Sequence, residues 1–360
     1  MDPLARWRAF FRERYPVEDL AAAARHKTVP LHRHSFWYYW GGVTLFLIGI
    51  QFASGVLLLL YYRPSAEGAF ASVRFIMTTV EFGWLIRSVH AWSANLVIFS
   101  AAVHLASTFF LASYRPPREL TWVSGVLLAF LLLGFGFTGY LLPWNTRAFF
   151  ATKVGTELAG TVPVAGPVLR TFLRGGPDIG DATISRFFWL HIAVLPLALA
   201  VLLGAHLAMI QLQGMSRPLA VRDARDTPFF PNFLLRDLVA WTLALGVVLC
   251  LSVYWPATLG QQADPFASTP AGIQPEWYFL WMFQTLKLFP SHVLGIEGEL
   301  VAIGSTGLAG LALVLVPWLD RPARRGRAHW LPRAAGLLAA AYVLGMTGWA
   351  LWLGRTVRHS

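Results

Sequence analysis

The sequence predicts an all-α polytopic membrane protein, a four-helix bundle followed by three further transmembrane helices. Three observations carry that prediction. The 360 residues are 56% hydrophobic with a mean hydropathy of +0.54, a composition outside the range of soluble domains. The apolar residues gather in seven runs, 36–61, 84–111, 122–142, 188–212, 237–256, 298–318 and 334–354, each close to the ~20 residues that cross ~30 Å of hydrocarbon. Histidines and glycines recur at a matched interval through the first four runs.

Residues 1–35 come first. They mix aromatics and acids with arginines and have no small-residue cleavage site after a short apolar stretch, so they predict an amphipathic surface segment rather than a signal peptide. The net charge of +11 would suit nucleic acid as a partner, but its distribution argues against that. With alternating spans, the tail 1–35 and the loops 112–121, 213–236 and 319–333 share one side and hold 18 of the 29 Lys and Arg. Such an excess marks the cytoplasmic face, which puts the N terminus inside and the C terminus outside a bacterial inner membrane. Arg355 and Arg358, at the outer end, run mildly against this.

The second run contains SVHAWSANLVIFSAAVHLAS, with His90 and His104 fourteen residues apart; the fourth reads FFWLHIAVLPLALAVLLGAHLAMI, with His191 and His206 fifteen apart. On an α-helix these spacings give a rise of about 21 to 22 Å and keep the rings within about 60° of one face. Two layers result, His90 with His191 near the outer surface and His104 with His206 near the inner one. A lone intramembrane histidine serves equally well as a proton relay or a helix–helix hydrogen bond. Four at matched depth favour ligation, as two stacked b-type haems with histidine on both axial positions require. The first run carries Gly41 and Gly55 and the third Gly125 and Gly139, again fourteen apart. Gly55 and Gly139 fall at the outer level, Gly41 and Gly125 at the inner. A missing side chain lets a flat macrocycle approach the backbone, although glycine also favours close helix packing in membranes.

With both axial positions filled by protein, an iron has no open site, and electron transfer is favoured over bond-making chemistry. The single cysteine, Cys250, excludes an internal disulfide, and without a C-x-x-C-H motif no covalent c-type haem is expected. Two competing functions use parts of the pattern. A dihaem quinone-reactive membrane anchor of a dehydrogenase accounts for the histidines and leaves the last three spans without a task. A proton-coupled transporter would employ the histidines as relays and leaves the matched ladders unexplained.

Four further stretches carry a family likeness: LYYRPSAEGAFASVRFIMTTVEFGWLIRSVHAWSAN at 60–95, YRPPRELTWVSGV at 114–126, FGFTGYLLPWN at 135–145 and AGIQPEWYFLWMFQTLK at 271–287. From about residue 27 to about 320 the chain resembles the cytochrome b subunit of the bc and b6f complexes, the quinol:cytochrome c and quinol:plastocyanin oxidoreductases. Its seven spans and fifteen-residue histidine spacing are similar to the b6 branch. Residues 36–212 resemble b6, a four-helix dihaem bundle, and residues 237–360 resemble the three-helix subunit IV, with a cytoplasmic linker at 213–236.

The resemblance implies an outer quinol site at PEWY. Glu276 would take the proton from quinol, a task suited to a carboxylate at an apolar membrane edge. Tyr278 would order that carboxylate, with Pro275 and Trp277 beside it and Gly136, Gly139, Tyr140, Pro143 and Trp144 as the facing wall. A short helix pair at 156–175 would lie across the site, and Arg87 stands at the height of haem propionates. The resemblance also implies a Rieske iron-sulfur protein and a c-type cytochrome as partners, proton translocation in a respiratory chain, and a homodimeric complex. Two positions depart from the family pattern. Tyr39 stands where b6 proteins carry the cysteine that holds an additional inner haem, so only a non-covalent extra inner haem stays open. Gln211 stands where a basic residue usually follows the inner histidine. Lys27, Arg33, His34 and Arg217 lie on the inner side, where they would contact propionates, supply protons, or simply obey the positive-inside rule.

Overall fold

The computed structural model of the chain describes residues 3–14, 27–219, 221, 224–326 and 330–359. Among them seven helices are long and apolar enough to cross a membrane: Ser35–Leu59, Gly83–Phe110, Glu119–Leu141, Asp181–Gln213, Phe229–Tyr254, Gly298–Arg324 and Trp330–Gly354. Helices are the solution hydrocarbon imposes, because every backbone polar group must be satisfied within its own segment. The centres match the seven predicted runs. The fourth helix begins seven residues earlier than hydropathy indicates, since it continues past the membrane edge on polar residues such as Asp181 and Arg186, whereas the backbone is non-helical at Phe230, near the start of the fifth.

The connections also take shape. A short helix, Gly68–Thr78, joins the first two spans. The expected helix pair after the third span consists of Thr146–Gly160 and Gly166–Arg174, starting ten residues earlier than predicted. Asn145 sets that start by accepting the Ala148 N–H at 2.8 Å, an N-cap. The hairpin closes tightly, because a Cβ on Gly166 would lie 2.1 Å from the Gly160 carbonyl oxygen. Strand Thr28–Leu31 pairs antiparallel with Arg225–Pro228, so the N-terminal segment and the linker form one ribbon. The surface helix Pro3–Arg14 exposes Leu4, Trp7 and Phe10. Residues 15–26 of the predicted amphipathic segment, and the side chains of Arg355 and Arg358, lie outside the described residues.

The first span packs chiefly on the second and the third on the fourth; the fifth leans across the first two, and helix Trp277–Leu286 rests on the seventh. At the centre of the bundle Leu47, Ile48, Val97, Ile98, Leu128, Leu132, Leu199 and Val248 form one buried cluster. In sequence each of the first four spans contributes its part midway between its two ladder residues. Dry, close-packed hydrocarbon therefore separates the two histidine levels. Leu197, Val201 and Leu243 face outward and are exposed, as lipid contact allows.

Candidate haem and quinol sites

Each ladder glycine seats one imidazole. A Cβ would lie 3.3 Å from His90 Cε1 at Gly55, 3.1 Å from His104 Cε1 at Gly41, 3.3 Å from His206 Cε1 at Gly125 and 2.7 Å from His191 Cε1 at Gly139. The sequence predicts that these gaps admit a macrocycle; the atoms they admit directly are the edges of the four rings.

The residue before the glycine has a second task. Ser54 Oγ lies 2.9 Å from His90 Nδ1, Ser124 Oγ 2.8 Å from His206 Nδ1 and Thr138 Oγ1 2.9 Å from His191 Nδ1. Each of these hydroxyls donates its proton to a helix carbonyl, Ile50 at 2.7 Å, Thr121 at 2.9 Å and Gly134 at 2.8 Å respectively. A hydroxyl has one proton, so toward the imidazole it can only accept. The three Nδ1 atoms therefore carry hydrogen, and each Nε2 keeps the lone pair a metal takes.

The His90 and His191 ring centroids are 6.4 Å apart with planes at 73°. A metal–imidazole bond of about 2 Å, with the centroid about 1.1 Å behind the nitrogen, puts two trans rings about 6.2 Å apart. One iron fits between them. Among the described residues no group of three or more His, Cys, Asp and Glu is placed to hold a bare metal ion. Each layer instead offers two imidazoles, a donor set that would suit a haem, whose macrocycle brings the remaining ligands of its iron. The residues fit a b-type haem at His90/His191 by distance and seat, and His104/His206 repeats the glycine seats.

The unequal spacings, fourteen and fifteen, are reconciled by the backbone. Leu190–Val194, which contains His191, is a single π-helical turn. Such a turn absorbs one extra residue, so His191 and His206 keep one face as His90 and His104 do.

PEWY lies beside the His90/His191 level. Trp277 Nε1 donates to Asn95 Oδ1 at 2.7 Å, tying the motif to the second span. Tyr278 lies over Gly136, where a Cβ would be 2.8 Å from Oη and 2.9 Å from Ile98 Cδ1. Gly136 is one turn from Gly139, the seat of His191. Burial, helped by the charge of Glu276, raises the Tyr278 phenol well above its ordinary value, so it remains a donor at neutral pH. Phe137 stands edge-on to Tyr140 and Phe279 at 5.8 and 6.0 Å.

Trp144 is buried with Ala69, Phe149, Phe150 and Ile184, and Ile273, two residues before Pro275, packs against the same cluster. Arg87 is engaged elsewhere. Its guanidinium donates to the Ala257 and Thr258 carbonyls at 2.5 and 3.1 Å, while Ser88 Oγ accepts the Ala257 N–H and Trp92 Nε1 donates to the Trp255 carbonyl. The second span thereby pins the segment that follows the fifth.

The family profile described as Cytochrome b/b6/petB matches residues 26–214, and that for Cytochrome b(C-terminal)/b6/petD matches 262–356. The chain belongs to the cytochrome b family. These are multi-pass membrane proteins of electron transport that bind b-type haem. A cytochrome bc complex cytochrome b subunit from Chlorobaculum thiosulfatiphilum is 45% identical over 348 residues, 95% of this chain and 79% of the relative. Cytochrome b6 of Tupiella akineta is 43% identical over 210 residues, 58% of this chain and 97% of the relative. Among solved structures, a chain of a hyperthermophilic respiratory Complex III is similar with a TM-score of 0.79 and 26% identity, covering 97% of both chains.

Within this cytochrome b fold the structure adds residues that the sequence did not single out. Arg147 Nη1 donates to Glu276 Oε1 at 2.8 Å, so the carboxylate is not alone at an apolar edge. At the opposite level, the buried polar side-chain atoms without a partner among the described residues are Trp40 Nε1, His104 Nδ1, Asp237 Oδ1 and Trp241 Nε1. All four surround the start of the first span. The Asp237 carboxylate fills the side-chain space of Gly42, 2.3 Å from a Cβ placed there, and Trp241 stacks on Phe46 at 5.3 Å. An unsatisfied buried polar group costs about 1–3 kcal/mol, so Asp237 Oδ1 and Trp241 Nε1, one turn apart on the fifth span, mark a polar ligand's place. Asp237 had a legible signal, a lone acid at the start of an apolar run. Lys27 donates to Gln211 Oε1 and stands over the Phe229 ring at 4.8 Å, which supplies through space the cation that position 211 lacks. Burial lowers the Lys27 pKa from its ordinary value. Arg33 donates to His34, and Arg217 pairs with Asp226 at 2.8 Å. Tyr39 stacks on Phe233 at 5.0 Å.

Proposed function

We propose that the chain is the cytochrome b subunit of a bc-type quinol oxidoreductase of a bacterial inner membrane, its N terminus cytoplasmic and its C terminus outside. The observation that carries this is the His90/His191 pair, 6.4 Å between ring centroids, one helical turn from the Gly136 seat of Tyr278. A site for one-electron transfer and a protonatable pocket are adjacent, as quinol oxidation requires, because its electrons and protons leave together.

His90 with His191 and His104 with His206 would hold two b-type haems, which when bound supply one-electron transfer between the two sides of the membrane. Glu276 accepts a proton from quinol, and Arg147 holds the ionised carboxylate at the mouth. Tyr278 donates a hydrogen bond within the pocket, and Trp277, through Asn95, keeps the motif against the second span. At the other level Asp237 delivers a proton to quinone, with Lys27 at the end of the fourth span. Proton release on one side and uptake on the other amount to proton translocation. With a single cysteine the chain lacks the ligands of a Rieske cluster, so a separate Rieske iron-sulfur protein and a c-type cytochrome take the other electron. The b6-like part 36–212 and the subunit IV-like part 237–360 are joined through 213–236, and the assembly is a homodimer.

The alternatives lack support. A proton-coupled transporter needs titratable groups along its path, yet segments 42–54, 91–103, 126–138 and 192–205 contain no Asp, Glu, Lys, Arg, His, Tyr or Cys. A dehydrogenase anchor leaves the Glu276–Arg147 pair and the Tyr278 seat without a task.

Haem quantification with potentiometric optical titration of wild type, His90→Ala and His206→Ala tests the proposal. Two b-type components are expected, one lost selectively in each variant. Wild type without stoichiometric haem refutes it; a third component would mark an additional haem beside Tyr39.

A further inference from the structure

The four-rung ladder is broken at one rung. Ser54, Ser124 and Thr138 each precede a ladder glycine and each place a hydroxyl on the Nδ1 of the histidine that glycine seats. The residue before Gly41 is Trp40. His104, seated by Gly41, has a buried Nδ1 with no partner. The nearby hydroxyls do not substitute: Thr44 and Ser100 bond to one another at 2.8 Å and to the Trp40 carbonyl at 2.8 and 3.3 Å. Trp40 itself turns its ring edge-on to Phe36 and Phe99.

An imidazole whose Nδ1–H is held by an acceptor is a more basic metal ligand. Stronger donation favours the ferric over the ferrous state and lowers the reduction potential. The His90/His191 layer has two such ligands and the His104/His206 layer has one. We propose that Trp40 is a positioning residue that withholds the fourth hydroxyl, leaving His104 the weaker donor and setting the potential of the His104/His206 layer higher than a hydroxyl at position 40 would. This rests on the haem ligation proposed above and adds to it a residue that tunes one of the two layers.

The test is a potentiometric titration of the purified assembly, with components assigned by their loss in His104→Ala and His90→Ala. Trp40→Thr is expected to lower only the His104-layer component, by about tenfold in the ferrous-to-ferric ratio, ~59 mV for one electron. Ser124→Ala is expected to raise that same component, and Ser54→Ala and Thr138→Ala to raise the other. The three alanine variants remove a single oxygen, so they decide the matter even where Trp40→Thr fails to assemble. Two intact b-type components whose potentials ignore all three alanine substitutions overturn the inference while leaving the ligation standing. Wild type without b-type haem would overturn both.

Discussion

Gly139→Ala is the most demanding substitution the ladder offers. A Cβ at this position would stand 2.7 Å from His191 Cε1, which falls 0.7 Å short of the 3.4 Å at which ordinary contact begins. The nearest atom is part of a ring whose adjacent Nδ1 is held by Thr138, so it cannot swing away as the end of a flexible chain would. Either the ring retreats or the third and fourth spans part. Metal–ligand distances tolerate about 0.2 Å, so a ring displaced by 0.7 Å no longer bonds an iron centred for His90. Separating the spans instead is overpacking, about 1–3 kcal/mol. The other glycines grade the effect. The shortfall is 0.3 Å at Gly41 and 0.1 Å at Gly55 and Gly125, so Gly55→Ala and Gly125→Ala keep their haems, Gly41→Ala is intermediate, and Gly139→Ala loses the component that His90→Ala also loses. Haem content by pyridine haemochrome and the reduced-minus-oxidised spectrum reads all four. Full haem in Gly139→Ala beside loss in Gly55→Ala would refute the seating argument.

Gly136→Ala places a Cβ 2.8 Å from Tyr278 Oη, so quinol oxidation should fall about 10²-fold with both haem spectra unchanged; an altered spectrum would show that the glycine serves the ligands instead. Trp277→Phe removes the bond to Asn95 and should lower stability by about 0.5–1.5 kcal/mol, with Asn95→Ala matching it and the double variant adding little in a thermal unfolding cycle. Gly42→Ala and Asp237→Asn should both slow quinone-dependent reoxidation by about 10²-fold without loss of haem, since the first displaces the carboxylate that the second neutralises. Hydrogen bonds from Arg174 and then Arg170 hold Glu157 below its ordinary 4.5. A lowered folded-state pKa stabilises above the unfolded value and that stability is lost as pH falls through the lowered one, so protection factors in the 146–174 hairpin, corrected for the intrinsic exchange rate at each pH, should fall on acidification in wild type and lose that dependence in Glu157→Gln.

The ladders were legible because a helix converts sequence interval into height and face, and hydrocarbon leaves few reasons for a histidine. The same arithmetic did not reveal direction. Arg87 stands at the expected height, but its guanidinium turns to the carbonyls of 257 and 258, which come from a loop 170 residues away. Arg147 and Glu276 are 129 residues apart, and no local pattern announces the pairing. The extra residue in the fourth span was visible as fifteen against fourteen; its absorption by one π turn at His191 was not. The hydroxyls were present in the sequence as Ser54-Gly55, Ser124-Gly125 and Thr138-Gly139, and became interpretable only once each glycine had its histidine.

The division of labour in the bundle follows from where polarity is allowed. Between the histidine levels the four spans contribute only apolar residues, amides and hydroxyls, several of which bond across the first and second spans, packed around Leu47, Val97, Leu132 and Leu199. An electron can cross such a medium because it needs no ligand along the way, whereas a proton needs a chain of donors and acceptors. Titratable groups stand at the two ends instead, Glu276 with Arg147 and Tyr278 at one, Asp237 and Lys27 at the other. An enzyme that moved protons and electrons along one path would dissipate the gradient it builds. Under the proposed function, with protons confined to the ends and electrons to the middle, each turnover at PEWY would release its protons on that side, and the same apolar core that excludes a relay would give the His90/His191 and His104/His206 layers separate environments to be tuned.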